Sequence, residues 1–136
     1  MTRASTIGLA ATAVLALAVS ASAQDTARLA AGETAWNKAL CLQCHGSLGE
    51  GGMGGEFPAG PSLRTTQLNR ALLTDTIRCG RPGAQMPAFL DGAYTMIPCY
   101  GLPKGPPPPG LELTPVLSRD EIEALVDFLM AKIVGK

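Results

Sequence analysis

The stretch Cys41-Leu42-Gln43-Cys44-His45 decides how the rest of the chain is interpreted. It has the form Cys-x-x-Cys-His, which is the attachment signature of c-type haem. Two thiols at this spacing reach the two vinyl groups on one edge of a porphyrin and form thioethers with them. His45, the only histidine in the sequence, then lies under the ring and offers a nitrogen to the iron. The motif predicts one haem c, bound covalently through Cys41 and Cys44 and ligated by His45.

Three other interpretations of the cysteines fit the sequence less well. A thioredoxin-like redox pair follows a strand of a βαβ unit, and the sequence has no such pattern. A zinc site made from all four cysteines needs a second closely spaced pair, which Cys79 and Cys99 do not form. A plain disulfide between Cys41 and Cys44 leaves His45 without a role.

The N-terminal segment has the pattern of a signal peptide over residues 1–23. Arg3 supplies a positive charge, residues 7–19 are apolar or small, and an Ala-x-Ala site ends at Ala23. The alternative is an uncleaved membrane anchor, but the apolar stretch is shorter than the ~20 residues that span a bilayer. Cleavage after Ala23 predicts a mature chain of one small domain, 24–136, in the periplasm and without a membrane span.

Charge and composition exclude several classes of function. The chain has 11 basic and 11 acidic residues, and loss of Arg3 with the signal peptide leaves a formal net charge of −1. No nucleic-acid binding is expected of such a chain, and it lacks the lysine excess that steers a protein towards an acidic partner. Aromatic residues make up only 4% of the sequence. A buried porphyrin is therefore expected to supply much of the core.

The first and second helices are predicted from apolar spacing. Residues 25–40 place Leu29, Gly32, Trp36 and Ala39 on one face of a helix. Glycine inside a helix costs about 1 kcal/mol relative to alanine, so Gly32 indicates a second helix that crosses closely. Residues 67–79 predict another helix, in which inward positions are assigned to Leu68, Leu72 and Ile77, with Leu73 and Thr76 as further candidates.

The last helix has the clearest signals. Ser118 and Glu121 form the capping-box pattern at its start, where acidic side chains also favour the helix dipole. Its apolar stripe consists of Ile122, Leu125, Val126, Leu129 and Ile133, with Phe128 on the flank.

Two segments are predicted to be loops. Residues 46–61 contain seven glycines and no period, and such a segment can wrap the edge of a flat cofactor. Backbone carbonyls near Pro61 are expected to accept a hydrogen bond from the His45 ring. Residues 91–115 are expected to be irregular, with a solvated polyproline II spacer over 105–110.

The second axial position of the iron has four candidate methionines. A thioether is a soft ligand that favours ferrous iron. Met53 follows His45 too closely to reach the opposite face, and Met130 lies towards the polar side of the last helix. Met86 follows a helix stop on a loop stiffened by proline, which makes it the predicted ligand. Met96 is the alternative.

Taken together, these features resemble the class I monohaem cytochromes c. The resemblance covers nearly all of the mature chain and rests on three motifs: Gly32-x-x-x-Trp36 before the haem motif, Met86-Pro87-x-Phe89, and the C-terminal helix with Leu125 and Phe128. It implies an all-α cytochrome c fold of three or more helices around one haem, in which the first and last helices cross near Gly32. It also implies His45 and Met86 as axial ligands, with Pro61 on the proximal side of the haem.

Two features depart from the simplest pattern of that family, namely Cys79 with Cys99 and the long segment 91–115. In an oxidising compartment the two cysteines are expected to form a disulfide. Closing this loop stabilises a fold by on the order of 3 kcal/mol, and it ties down the segment after Met86.

Three functions are compatible with these observations. The first is a diffusible electron carrier between periplasmic redox partners, with Ala88 and Phe89 forming a weak docking patch around the haem edge. It is not expected to be an enzyme, because no second histidine or nucleophile–base pair accompanies the haem. The second is a fixed cytochrome subunit of a periplasmic dehydrogenase or oxidase complex. The third, a haem enzyme or gas sensor, requires that no methionine binds the iron.

Overall fold

The computed structural model describes residues 8–52 and 55–136, with side chains from residue 22 onward. Arg3 and the start of the proposed signal peptide, like Met53, lie outside the described residues. The elements in chain order are α1 (Gly8–Lys38), α2 (Cys41–His45), α3 (Arg70–Cys79), β1 (Ala88–Leu90), β2 (Leu113–Leu117) and α4 (Arg119–Lys132). The described chain is mostly helical, as expected, but its two short strands correct the expectation of a purely α-helical fold.

The first helix is longer than the predicted segment 25–40. It already includes Gly8, the first described residue, and the alanines and leucines that follow have high helix propensity. It ends at Lys38, and Leu40 adopts a left-handed backbone conformation (φ 54°, ψ 30°) before α2 begins. This turn directs the haem motif away from the axis of α1. The helix runs through Ala23, and cleavage there stays a prediction.

Helices α1 and α4 cross at Gly32, as the sequence predicts. A Cβ atom on Gly32 would lie 2.1 Å from the carbonyl oxygen of Ala124 and 2.6 Å from Cβ of Phe128. Trp36, one turn later, is buried, and its ring centroid lies 6.5 Å from that of Phe128. Lys38 pairs with Glu121 at 2.6 Å at the end of the contact. Only a residue without a side chain allows the two backbones to approach this closely.

Helix α3 begins later than predicted and buries a different leucine. Asn69 caps it, because its side chain accepts a hydrogen bond from the backbone N–H of Leu72 at 3.0 Å. Leu72 is 44% exposed, so its inward assignment was wrong, whereas Leu73 and Ile77 are buried. These two residues are four positions apart and therefore share one face, whereas Cys79 is buried in a separate cluster.

Helix α4 agrees with the sequence in both its start and its buried face. Ser118 accepts a hydrogen bond from the Glu121 backbone N–H at 3.2 Å, and the Glu121 carboxylate accepts one from the Ser118 N–H at 2.7 Å. This reciprocal pair is the predicted capping box. The apolar stripe is buried over its whole length, at Ile122, Leu125, Val126, Leu129 and Ile133.

The two strands form a small parallel sheet that the sequence did not indicate. Ala88 pairs with Leu113 and Leu90 with Leu117, with an irregularity in between. Segment 91–115 was expected to be irregular throughout, but its last three residues belong to strand β2. All three residues of β1 are buried, so Ala88 and Phe89 do not form the expected docking patch on the surface.

The predicted disulfide between Cys79 and Cys99 is present. Both cysteines are fully buried in a second apolar cluster, which also contains Ala88, Ala93 and Tyr94. This cluster lies beside the main core and fixes the start of the long segment after β1 to the end of α3.

Candidate haem site

Helix α2 carries the three residues of the haem motif. It spans only Cys41–His45, and the Gly46 N–H closes it by donating to the Leu42 carbonyl at 2.9 Å. Residues three apart on a helix lie on the same side, so Cys41 and Cys44 present their sulfur atoms together. Both are free, partly buried thiols.

The His45 ring is oriented by a backbone carbonyl, as expected. Its Nδ1 atom lies 2.9 Å from the carbonyl oxygen of Pro61. A carbonyl only accepts hydrogen bonds, so Nδ1 carries the proton and donates it. The lone pair of Nε2 is then free for a metal, and a hydrogen bond of this kind fixes ring orientation and tautomer in metal sites generally.

The glycine-rich loop packs directly against the backbone of α2. The Gly60 N–H donates to the Cys44 carbonyl at 2.7 Å, and the Gly51 N–H donates to the His45 carbonyl at 2.7 Å. A Cβ atom on Gly52 would lie 2.1 Å from the Cys44 oxygen, and one on Gly60 would lie 2.9 Å from Nδ1 of His45. The glycines therefore allow the backbone of the loop to contact the backbone of the haem motif directly. The sequence had led to the expectation that they wrap the edge of the cofactor.

Trp36 connects the helix crossing to the histidine. Its ring centroid lies 6.4 Å from that of His45, with an interplanar angle of 40°. The same ring contacts Phe128 on the other side of the crossing. The imidazole is thus held by the Pro61 carbonyl on one atom and lies beside a buried indole.

The protonation of the thiols argues against a thioredoxin-like redox pair. Burial raises the pKa of Cys41 to about 12, and burial also raises the pKa of Cys44. Reactive Cys-x-x-Cys pairs instead depend on a thiolate stabilised by a depressed pKa. A zinc site made from four cysteines is excluded as well, because Cys79 and Cys99 are joined to each other.

Among the methionines with described side chains, Met86 is the most enclosed. It is partly buried and packs against the main apolar core, which Cys41 also contacts. Met96 is 70% exposed and Met130 is 38% exposed. Met86 and the first thiol of the haem motif therefore share one apolar core.

The loop that carries Met86 is closed at its base. The Arg81 N–H donates to the Met86 carbonyl at 3.0 Å, and the Ala88 N–H donates to the Glu112 carbonyl at 2.9 Å. The Tyr100 hydroxyl donates to the Gly80 carbonyl. Nothing in the sequence pattern indicated this last contact, because Tyr100 lies in a segment without periodicity.

These donors suit a covalently bound haem. Two neutral thiols on one side of a short helix, followed by an imidazole whose free nitrogen is Nε2, are the groups that thioether formation and iron ligation require. A fold in which the first helix crosses the last and presents such a motif is that of a cytochrome c domain.

The comparison with protein families agrees. Residues 27–96, just over half of the chain, match the family described as cytochrome C oxidase, cbb3-type, subunit III. The chain belongs to this family of monohaem cytochrome c domains, and membership implies haem c and electron transfer. Comparisons with curated proteins and with solved structures found no match. In the described part of the chain, no helix has the length and apolar character needed to cross a membrane.

Proposed function

We propose that this protein is a periplasmic carrier of single electrons between redox partner proteins. In this proposal one haem c is attached to Cys41 and Cys44 and is ligated by His45 and Met86. The haem supplies reversible exchange of one electron at its iron. The observation that carries the proposal is the hydrogen bond from His45 Nδ1 to the Pro61 carbonyl, because it prepares the imidazole beside two free thiols for a metal.

The role of the protein is to keep the iron ligands fixed while the charge of the iron changes. His45 is held by Pro61 and by the glycine loop, whose N–H groups bind the carbonyls of Cys44 and His45. Ligands that do not move between the two oxidation states keep reorganisation small. This arrangement favours electron transfer over the binding of an external substrate.

The enclosure of Met86 supports it as the second ligand. A thioether is neutral and soft, so it stabilises ferrous iron and raises the reduction potential. Met86 packs on the same core as Cys41, whereas Met96 lies largely in solvent. Met96 therefore provides a matched control in which a methionine is lost from the surface.

The test is the optical spectrum of the ferric holoprotein. Ligation by methionine gives a weak charge-transfer band in the red, which we expect in the wild type and in Met96→Ala but not in Met86→Ala. The reduction potential should fall in Met86→Ala alone. A wild-type spectrum without the band, together with rapid binding of carbon monoxide to the reduced protein, would replace the carrier with a haem enzyme or gas sensor.

A second candidate function is a fixed cytochrome subunit of a dehydrogenase or oxidase complex. The name of the matched family, subunit III of a cbb3-type oxidase, favours it, as does a formal charge near zero. Purification of the native protein in high salt distinguishes the two functions. Co-elution with a larger enzyme supports the subunit, whereas a free monomer supports the carrier.

A further inference from the structure

We infer that Tyr100 is a positioning residue for Met86. Its hydroxyl group binds a peptide unit that in turn binds the backbone of Met86. The inference rests on the proposed ligation of iron by Met86. It assigns a role to the long segment after β1, which the haem motif and the family match do not explain.

The contact runs through the amide that joins Gly80 to Arg81. The carbonyl of this amide accepts a hydrogen bond from the Tyr100 hydroxyl. The N–H of the same amide donates to the Met86 carbonyl at 3.0 Å. Hydrogen bonds at the two ends of one amide polarise and strengthen each other. The Tyr100 hydroxyl is therefore one peptide unit away from the backbone of Met86.

Tyr100 is held in place by its neighbour in the chain. Cys99 is bonded to Cys79, and Cys79 directly precedes Gly80. Cys99 thus holds Cys79 by a disulfide, and the next residue, Tyr100, holds Gly80 by a hydrogen bond. Tyr100 has a left-handed backbone (φ 54°), which is unfavourable for a residue with a side chain. Such a conformation persists only where the surroundings impose it.

The base of the Met86 loop also closes by direct backbone contact. A Cβ atom on Gly80 would lie 2.7 Å from the Ala88 nitrogen and 2.7 Å from the Pro87 carbonyl carbon. The ends of the loop, residues 80 and 88, therefore touch, and the Tyr100 hydroxyl binds at this junction. The hydroxyl thus fixes one end of the loop, and a movement of Gly80 that withdraws Met86 must break this hydrogen bond.

Tyr94 provides a matched control within the same cluster. It is 5% exposed and has a left-handed backbone (φ 67°), like Tyr100. Its hydroxyl has no hydrogen-bond partner among the described residues. Tyr94→Phe and Tyr100→Phe thus remove the same atom from the same apolar cluster, but only the second removes a hydrogen bond to the Met86 loop.

The experiment is a titration of the ferric holoprotein with imidazole, which binds the iron by displacing a methionine. We expect Tyr100→Phe to bind imidazole about fivefold more tightly than the wild type, since one hydrogen bond is lost from the methionine-bound state. Tyr94→Phe should remain within about twofold of the wild type. Met86→Ala should bind most tightly, and addition of Tyr100→Phe to it should change nothing further.

The outcomes distinguish ligation of the iron by Met86 from the role of Tyr100. Equal imidazole affinity of the wild type and Met86→Ala would overturn ligation by Met86, and this inference with it. If the imidazole affinities of the wild type and Met86→Ala differ, two results would overturn only the role of Tyr100. In one, Tyr100→Phe binds imidazole as the wild type does; in the other, Tyr94→Phe and Tyr100→Phe change the affinity equally. If Tyr100→Phe does not accumulate as holoprotein, hydrogen exchange of the wild type decides. Slow exchange of both the Tyr100 hydroxyl proton and the Arg81 N–H supports the inference, and exchange of either at the rate of a free group overturns it.

Discussion

The Nδ1 atom of His45 and the carbonyl oxygen of Pro61 lie 2.9 Å apart, although 16 positions separate the two residues in the chain. The loop between them returns to α2 because the Gly60 N–H binds the Cys44 carbonyl at 2.7 Å. The orientation of the imidazole thus depends on close contacts between loop and helix, and the contact of Gly60 lies next to Pro61 in the chain. That contact can be tested without any change to His45 itself.

Gly60→Ala should disturb the histidine. The new Cβ atom would meet the Cys44 oxygen at 2.8 Å and His45 Nδ1 at 2.9 Å, so the loop must withdraw and the hydrogen bond to Pro61 lengthens. A weaker hydrogen bond lowers the basicity of the imidazole. We expect a higher reduction potential and a smaller yield of holoprotein. Gly105→Ala is the control, because nothing lies within 4 Å of the added atom; equal effects of both variants would contradict this explanation.

Gly32→Ala should destabilise the protein even though alanine favours helices. The gain in helix propensity is about 1 kcal/mol, but the methyl group would lie 2.1 Å from the Ala124 oxygen. Separation of the two helices typically costs about 1–3 kcal/mol, so urea denaturation should show a net loss of stability. Glu33→Ala, at the exposed neighbouring position, should stay within about 0.5 kcal/mol. A more stable Gly32→Ala variant would show that the crossing is not tight.

Replacement of both Cys79 and Cys99 by alanine should lower the free energy of unfolding by about 3 kcal/mol, because the disulfide closes a loop with a sequence separation of 20. Alanine avoids the burial of new polar atoms in the second cluster. Urea denaturation of the oxidised proteins measures the difference. Both cysteines are buried, so a dithiol should reduce the native wild type far more slowly than the urea-unfolded protein. Rapid reduction of the folded protein would argue against a structural bond.

Acid should weaken the contact of α4 with α1 and α3. Burial alone would raise the pKa of Asp127, but hydrogen bonds from Arg28 and Arg70 outweigh it, and the pKa is lowered. A carboxylate with a lower pKa in the folded state stabilises above its unfolded pKa and loses this effect as the pH falls through its folded pKa. The effect is modest because both arginines are about half exposed.

Stability measured at neutral pH and at about pH 3 tests this prediction. The wild type should lose more stability on acidification than Asp127→Asn. Asp91→Asn serves as the control, since Asp91 is exposed and forms no ion pair within the described residues. If Asp127→Asn and the wild type respond equally to acid, the arginine pairs do not contribute.

The sequence was informative where chemistry or sterics allow few alternatives. The haem motif led to the expectation that Pro61 orients His45, and Gly32 led to the expectation of a close crossing. The capping box at Ser118 follows from side-chain hydrogen bonding within one turn. Each of these features depends on a few neighbouring residues or on the steric clash of one added Cβ atom. Each agrees with the structure.

The sequence was uninformative where distant segments decide the outcome. Leu72 and Leu73 have the same propensity, and only packing against the core selects Leu73. Strand β1 has three residues, too few for a period, and its partner β2 contains a proline and comes more than 20 residues later. A short stretch of sequence does not reveal parallel pairing, because the two strands are far apart in the chain. Ligation of iron by Met86 stays a prediction, supported by its enclosure.

The crossing of α1 with α4 also makes completion of the core depend on a helix far along the chain. Lys38 and Glu121 pair across 83 positions of chain, and the contacts of Gly32 and Trp36 are likewise with α4. Closure of the core therefore requires the last helix, and non-local closure of this kind is slow. Cys41 packs against this core, so its partial burial is complete only after α4 has docked.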